Sequence, residues 1–177
     1  MRDGRDWDGG RVGLWLIGAR GSVATTAITG LLALQAGLME PLGCVTERPP
    51  LAGLALPGWD ELVVGGHDVV ATPLDKRAEQ LAEAGVIPPP VLAAVAEGLR
   101  WVDGQLRQVD AGPRPAAEPQ RAFADWLGAE LAGFARRHRL ARVVVINLGS
   151  TEPPVPELPE HADLGLLERA LDDPGRA

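Results

Sequence analysis

The stretch "VGLWLIGARGSVATT" at residues 12–26 constrains this chain more than any other. An apolar run stops at Gly18, passes one arginine and a second glycine, and changes to helical spacing. Residues 11–17, "RVGLWLI", suit a strand buried on both faces of a parallel sheet, where near-continuous apolar residues replace alternation. From Ser22 to Gln35, the residues Val23, Ala27, Leu31 and Leu34 fall on one helical face. Ser22 is placed to cap the first turn and Gly37 to end the helix. A strand, a tight glycine turn and a helix together form a phosphate-binding arrangement, because the free amides of a helix N-terminus attract anions.

The remaining chain continues the alternation. "LGCVTE" (42–47) and "ELVVGG" (61–66) read as strands, separated by a Gly/Pro-rich loop over 49–58. Residues 73–85 form a helix with proline at its start and glycine at its end, and 88–102 form another after a proline stop. Residues 103–120 read as a surface excursion. The segment 118–140 is a long helix whose core stripe is Phe123, Trp126, Leu127, Leu131 and Phe134. Residues 142–150, "RVVVINLGS", are a strongly β-branched, buried strand, and a short helix spans about 160–171. This order predicts an α/β fold with a Rossmann-like, doubly wound, mostly parallel sheet. The expected organisation is a tail over 1–10, a nucleotide-binding domain over 11–151 and a loop with a short helix over 152–177.

Composition narrows the class of partner. With 46% hydrophobic residues the chain can build a core. Its formal net charge of −7 argues against nucleic acid, and the basic cluster "FARRHRLAR" (134–142) fits cations opposing a helix dipole. No apolar run approaches the ~18 residues of a membrane span, and the charged N-terminus lacks the core of a signal peptide. Cys44 is the single cysteine, so the expected compartment is a reducing cytoplasm, with no membrane partner. Lys76 is the single lysine.

Ligands of such sheets sit beyond the carboxyl ends of the strands. There Gly18 fits the tight turn of a dinucleotide fingerprint, Gly21 the close approach of backbone to pyrophosphate, and Ala24 the small residue of helix–strand packing. Arg20 offers a charged donor to phosphate, and Ser22 a hydroxyl. Glu47, ~20 residues past the turn, is placed to bond an adenosine ribose. Asp68, in "GGHDV" (65–69), is placed for the ribose or the adenine edge. Asn147, Ser150 and Thr151, in "NLGSTEPP" (147–154), can hold the nicotinamide ribose or a substrate phosphate. The bland readings stay open: an ordinary βα turn, a solvated loop acid and a capped turn before prolines. His67 has no companions at metal-ligand spacing, so no metal site is expected.

The stretches "GLWLIGARGSVATT", "GWDELVVGGHD" and "VVVINLGSTEPP" together resemble the myo-inositol-1-phosphate synthase family, also called inositol-3-phosphate synthase, and most of all its actinobacterial-type members. The resemblance runs over roughly residues 11–171. The family's first motif is G-x-G-G-x-x-G. Gly18 and Gly21 match it, while Arg20 and Ala24 replace two glycines. The resemblance implies bound NAD and the isomerisation of D-glucose 6-phosphate to 1D-myo-inositol 3-phosphate, by oxidation, enolisation, aldol closure and reduction. It also implies that Gly18, Ala19, Arg20, Gly21 and Ser22 carry the pyrophosphate turn. Asp68 serves the adenosine side, and Asn147, Ser150 and Thr151 pass the cofactor.

Family members are about twice this length or more. Their second half carries the catalytic lysines and the tetramer interface, and a later segment completes the sheet. The resemblance therefore makes this chain an N-terminal portion with an incomplete sheet and no catalytic residue of its own. Two other readings remain. One is a different NAD(P)-dependent oxidoreductase domain, although the chain has no tyrosine. The other is a non-catalytic nucleotide-binding module.

Overall fold

Four strands form one all-parallel sheet, in the order β3-β2-β1-β4, in the computed structural model, which describes residues 9–48, 51, 54–110, 120–150 and 156–173. The strands are β1 (Val12–Ile17), β2 (Leu62–Asp68), β3 (Leu106–Gln108) and β4 (Arg142–Asn147). Helix α1 (Ser22–Gln35) follows β1, and α2 (Leu74–Glu83) and α3 (Pro89–Asp103) follow β2. Helix α4 (Gln120–His138) precedes β4, and α5 (Leu164–Leu171) follows it. The expected doubly wound Rossmann-like sheet is the observed one.

The pleat of β1 divides the core. Leu14 and Leu16 point with Val64 and Leu106 toward α1, α2 and α3, where Ile28, Leu74 and Leu99 close the larger cluster. Trp15 points the other way and packs with Val63 against Phe134 of α4. The Trp15 and Phe134 rings meet edge-on at 5.4 Å. Gly65 makes this approach possible, because a Cβ there would lie 2.7 Å from the Phe134 ring. Gly37 and Gly85 end α1 and α2 in the left-handed conformation, as helix-stopping glycines do. Arg136, Arg137 and His138 occupy the last turn of α4, where cations face the negative end of the helix dipole.

Several expectations need correction. Residues 42–47 form no strand. Val45–Glu47 is a short 3₁₀ turn in the connection from α1 to β2. "VTE" has the residue types of a strand, but the sheet continues through Leu62–Asp68 instead. The excursion over 103–120 contains a strand, β3, extending the sheet beyond β2. Strand β4 is exposed along most of its length, with Val145 half exposed; among the described residues it is the sheet edge, pairs with β1, and little packs over its faces. The α4 stripe buries Phe134 and half-buries Leu131, whereas Trp126 stays exposed. On α1 the residues packed inward are Ala24, Thr25, Ile28, Thr29, Leu31 and Ala33. Val23 and Ala27 are exposed. Together with Leu31 and Leu34 they line an open apolar groove of about 420 Å³ that continues over Ile146 and Leu148. The apolar face read from the sequence exists, but much of it is uncovered. Of the expected tail over 1–10, residues 1–8 lie outside the described residues. No described helix is long and apolar enough to cross a membrane.

Candidate functional site

The sheet order reverses between β1 and β4, so a topological switch point opens at their carboxyl ends, where ligands of such sheets bind. Gly18 stands there with φ +80°, and a Cβ on it would lie 3.0 Å from the backbone nitrogen of Gly149, just past β4. Only glycine combines that conformation with so close a neighbour. The amides of Gly18 and Ala19 both donate to the carbonyl of His67, at 3.0 and 3.2 Å, tying the turn to the end of β2. The Gly21 amide donates to Gly18 O at 3.1 Å, so it closes the turn instead of pointing at a ligand. The first bond of α1 runs from Thr25 N to Gly21 O. The amides of Ser22, Val23 and Ala24 are therefore the free donors of a helix start that has no side-chain cap and no acid in its first turn. Ser22 is the first helical residue, not the cap. Ala24 is fully buried, in keeping with its packing role.

Arg20 does not reach for a phosphate. Its side chain is 9% exposed and turns back under the fold. Its Nε donates to Asp103 Oδ1 at 2.9 Å, and its Nη1 donates to Gln108 Oε1 at 3.0 Å and to Val70 O at 3.2 Å. Asp68 grips the same residue from the other side. Its Oδ2 accepts the Arg20 amide at 2.6 Å and its Oδ1 the Val70 amide at 2.8 Å. Asp68 is 5% exposed, so its first duty is to clasp the turn to the β2–α2 connection. Asp103 and Gln108, which brace Arg20, were not singled out in the sequence. They lie far along the chain from Arg20, and only the packing of α3 and β3 beside β2 brings them near.

Ser22 Oγ accepts a hydrogen bond from Arg77 Nη2 at 2.8 Å. Arg77, on the first turns of α2, is also absent from the sequence reading, since nothing local marks it. Asn147 ends β4 beside the turn, and its Oδ1 accepts the Gly149 amide at 2.9 Å. Ser150 is exposed just beyond. Thr151 lies outside the described residues. Gly18–Ser22, Asp68 and Asn147–Ser150 thus converge on one end of the sheet. Glu47 lies on a 3₁₀ turn and not at the end of a strand. It is exposed in the connection that returns to the start of β2, where Gln35 Nε2 donates to Trp59 O and Leu62 O.

His67 points to the α4 side, away from this site. Its Nδ1 accepts the Trp15 indole N–H at 3.1 Å, which assigns the ring proton to Nε2. Burial pulls its pKa below the usual histidine value, with Asp68 opposing more weakly. Among the described residues no cluster of histidine, cysteine and carboxylate side chains could hold a metal ion.

Residues 12–177 match a family model of NAD-binding type described as myo-inositol-1-phosphate synthase. The chain is 28% identical over 183 aligned positions to inositol-3-phosphate synthase 1 of Bacteroides thetaiotaomicron, covering 93% of this chain and 42% of that protein. Its fold is similar to the crystal structure of inositol-3-phosphate synthase from Caenorhabditis elegans, with a TM-score of 0.75 at 15% identity, over 93% of this chain and 39% of that one. The chain spans about two fifths of the length of these relatives.

Proposed function

The chain belongs to the myo-inositol-1-phosphate synthase family, and from that premise we propose that it serves as the NAD-binding part of an enzyme isomerising D-glucose 6-phosphate to 1D-myo-inositol 3-phosphate. The observation that carries the site is the helix start at the switch point, with the free amides of Ser22, Val23 and Ala24 above a glycine turn. That arrangement fits a pyrophosphate, which gains both direct hydrogen bonds and the positive end of the helix dipole. Gly18 and Ala19 shape the turn, Arg20 and Asp68 brace it, and Ser22 contributes a hydroxyl. The adenosine half lies on the Asp68 side, over the β2–α2 connection. The nicotinamide half lies toward Asn147, Ser150 and Thr151. When bound, NAD supplies a hydride acceptor that later returns the hydride, so the net reaction is an isomerisation.

On this reading the nucleotide-binding domain spans 11–151, and 152–177 is a loop and short helix following it in the chain. The groups that stabilise enolate and aldol oxyanions lie in the portion of the family's length that this chain does not span. Lys76, its single lysine, is exposed and paired with Glu79 at 2.8 Å. The full-length enzyme is proposed to act as a homotetramer in the cytoplasm, without nucleic-acid or membrane partners.

Two measurements test this reading. NAD is titrated against the chain and its Gly21→Val variant, whose side chain would crowd Gly18 O, 3.2 Å from the first added carbon. Weaker binding by the variant is expected, and equal affinity overturns the assignment of the turn. Purified chain supplied with NAD and glucose 6-phosphate is expected to form no inositol phosphate. Sustained turnover would place a catalytic site inside it.

A further inference from the structure

We propose that Arg77 is a pyrophosphate ligand of this domain, a cation delivered from α2 to the start of α1. The inference rests on the NAD reading above and adds to it a residue outside the glycine turn. Arg77 is half-buried, and its guanidinium is held in place by two neutral acceptors, Ser22 Oγ at 2.8 Å and Gln80 Oε1 at 2.9 Å. Among the described residues it makes no ion pair. Arg20, by contrast, meets Asp103, Lys76 meets Glu79 and Arg107 meets Glu130. The helix start beside it carries no acid in its first turn and no capping side chain. Two positive features, a guanidinium and a helix N-terminus, therefore converge on Ser22, with no ion pair to Arg77 among the described residues and no acid in the first turn of α1.

Side-chain chemistry fits a phosphate oxygen at that point. A serine hydroxyl that accepts from Arg77 still has its own proton to donate. The guanidinium uses two of its N–H groups on Ser22 and Gln80 and keeps others for a ligand. Arginine and phosphate make strong, charge-assisted hydrogen bonds. The diphosphate of a dinucleotide, lying over the Ser22–Ala24 amides, brings its oxygens within the reach of both side chains. Arg20 is buried against Asp103 and cannot supply this charge, so Arg77 supplies it.

The test titrates the chain with NAD at several salt concentrations, beside Arg77→Ala, Arg77→Lys and Lys76→Ala, and follows folding by thermal melting. Arg77→Ala is expected to bind NAD roughly ten- to a hundredfold more weakly, with a shallower salt dependence and an unchanged melt. Arg77→Lys should recover part of the loss, and Lys76→Ala should match wild type. Unchanged NAD affinity in Arg77→Ala, or a loss with unaltered salt dependence, overturns the proposal. So does a variant that loses affinity for NADP alone, which would place the cation on a 2′-phosphate. A wild-type chain that fails to bind NAD overturns the underlying reading, and this one with it. A chain that binds NAD through Gly21 but ignores Arg77 overturns only the second.

Discussion

Asp103 Oδ1 accepts Arg20 Nε at 2.9 Å and, with the same oxygen, the Leu74 amide at 3.0 Å. One carboxylate at the end of α3 thus fixes the arginine of the glycine turn and the first amide of α2. The turn is held in shape from outside itself, by a residue 83 positions away in the chain.

Asp103→Ala is therefore expected to cost about 2–3 kcal/mol of stability, because it leaves a buried guanidinium and a helix-start amide without their acceptor. Asp103→Asn keeps an acceptor oxygen and should cost less. Urea unfolding checks both. A wild-type midpoint for the alanine variant would show that Gln108 and Val70 suffice to hold Arg20.

The two glycines of the turn should differ in their tolerance of alanine. Gly18 has φ +80° and backbone 3.0 Å from its missing Cβ, whereas Gly21 has φ −66° and a nearest atom at 3.2 Å. Gly18→Ala is expected to cost about 2 kcal/mol or more, and Gly21→Ala less than about 1 kcal/mol. Similar melting temperatures for the two variants would contradict this.

Acid should destabilise the chain through two histidines. Burial lowers the pKa of His67, and burial together with Arg11 and Arg137 lowers that of His138, from a usual value of 6.5. A folded-state pKa below the unfolded one means that protons bind the unfolded chain first. Stability from this source is complete above about pH 6.5 and is lost as pH falls through the folded pKa values. Urea midpoints measured from pH 7.5 down to about pH 5 should fall, and His67→Gln should flatten part of the slope. A midpoint that rises as the pH is lowered would refute it.

Glu47→Ala is expected to leave both NAD affinity and the choice between NAD and NADP unchanged, within about twofold. The residue sits on a 3₁₀ turn between α1 and β2, whereas the ribose-binding acid of a dinucleotide fold stands at a strand end. A shift toward NADP in competitive titration would put Glu47 back at the cofactor.

The open edge of β4 should make the chain self-associate. Val144, Val145 and Ile146 are 41%, 50% and 36% exposed on a strand that, among the described residues, pairs on one side with β1. Unpaired edges of this kind pair with other chains, and a charge on them blocks the pairing. Val145→Lys is expected to shift sedimentation toward monomer. Identical sedimentation would exonerate the edge.

Local chemistry wrote much of this protein into the order of its residues. The apolar run 12–17 had to be a buried strand, Gly18 had to bend it back, and Gly37 and Gly85 had to stop helices. These depend on neighbours within a few positions, as does the glycine turn itself. "VTE" at 45–47 misled for the same reason: its β-forming residue types say nothing of whether a partner strand is available, and Leu62–Asp68 took that place beside β1. The β-branched run of β4 likewise announced a strand but not its position at an edge, and so not its exposure.

The site divides along the same line. The sequence by itself determined where the free amides of a helix start lie, because they follow from strand, glycine and helix in immediate succession. Tertiary structure alone decided what the charged groups around it do. Arg20 reads as a phosphate donor until α3 and β3 place Asp103 and Gln108 within 3.0 Å of it, and nothing in the sequence marks Arg77, which meets Ser22 only because α2 packs beside α1. A guanidinium on a long flexible stem takes the partner that the fold brings closest, and that partner lies 83 residues away for Arg20 and 55 for Arg77.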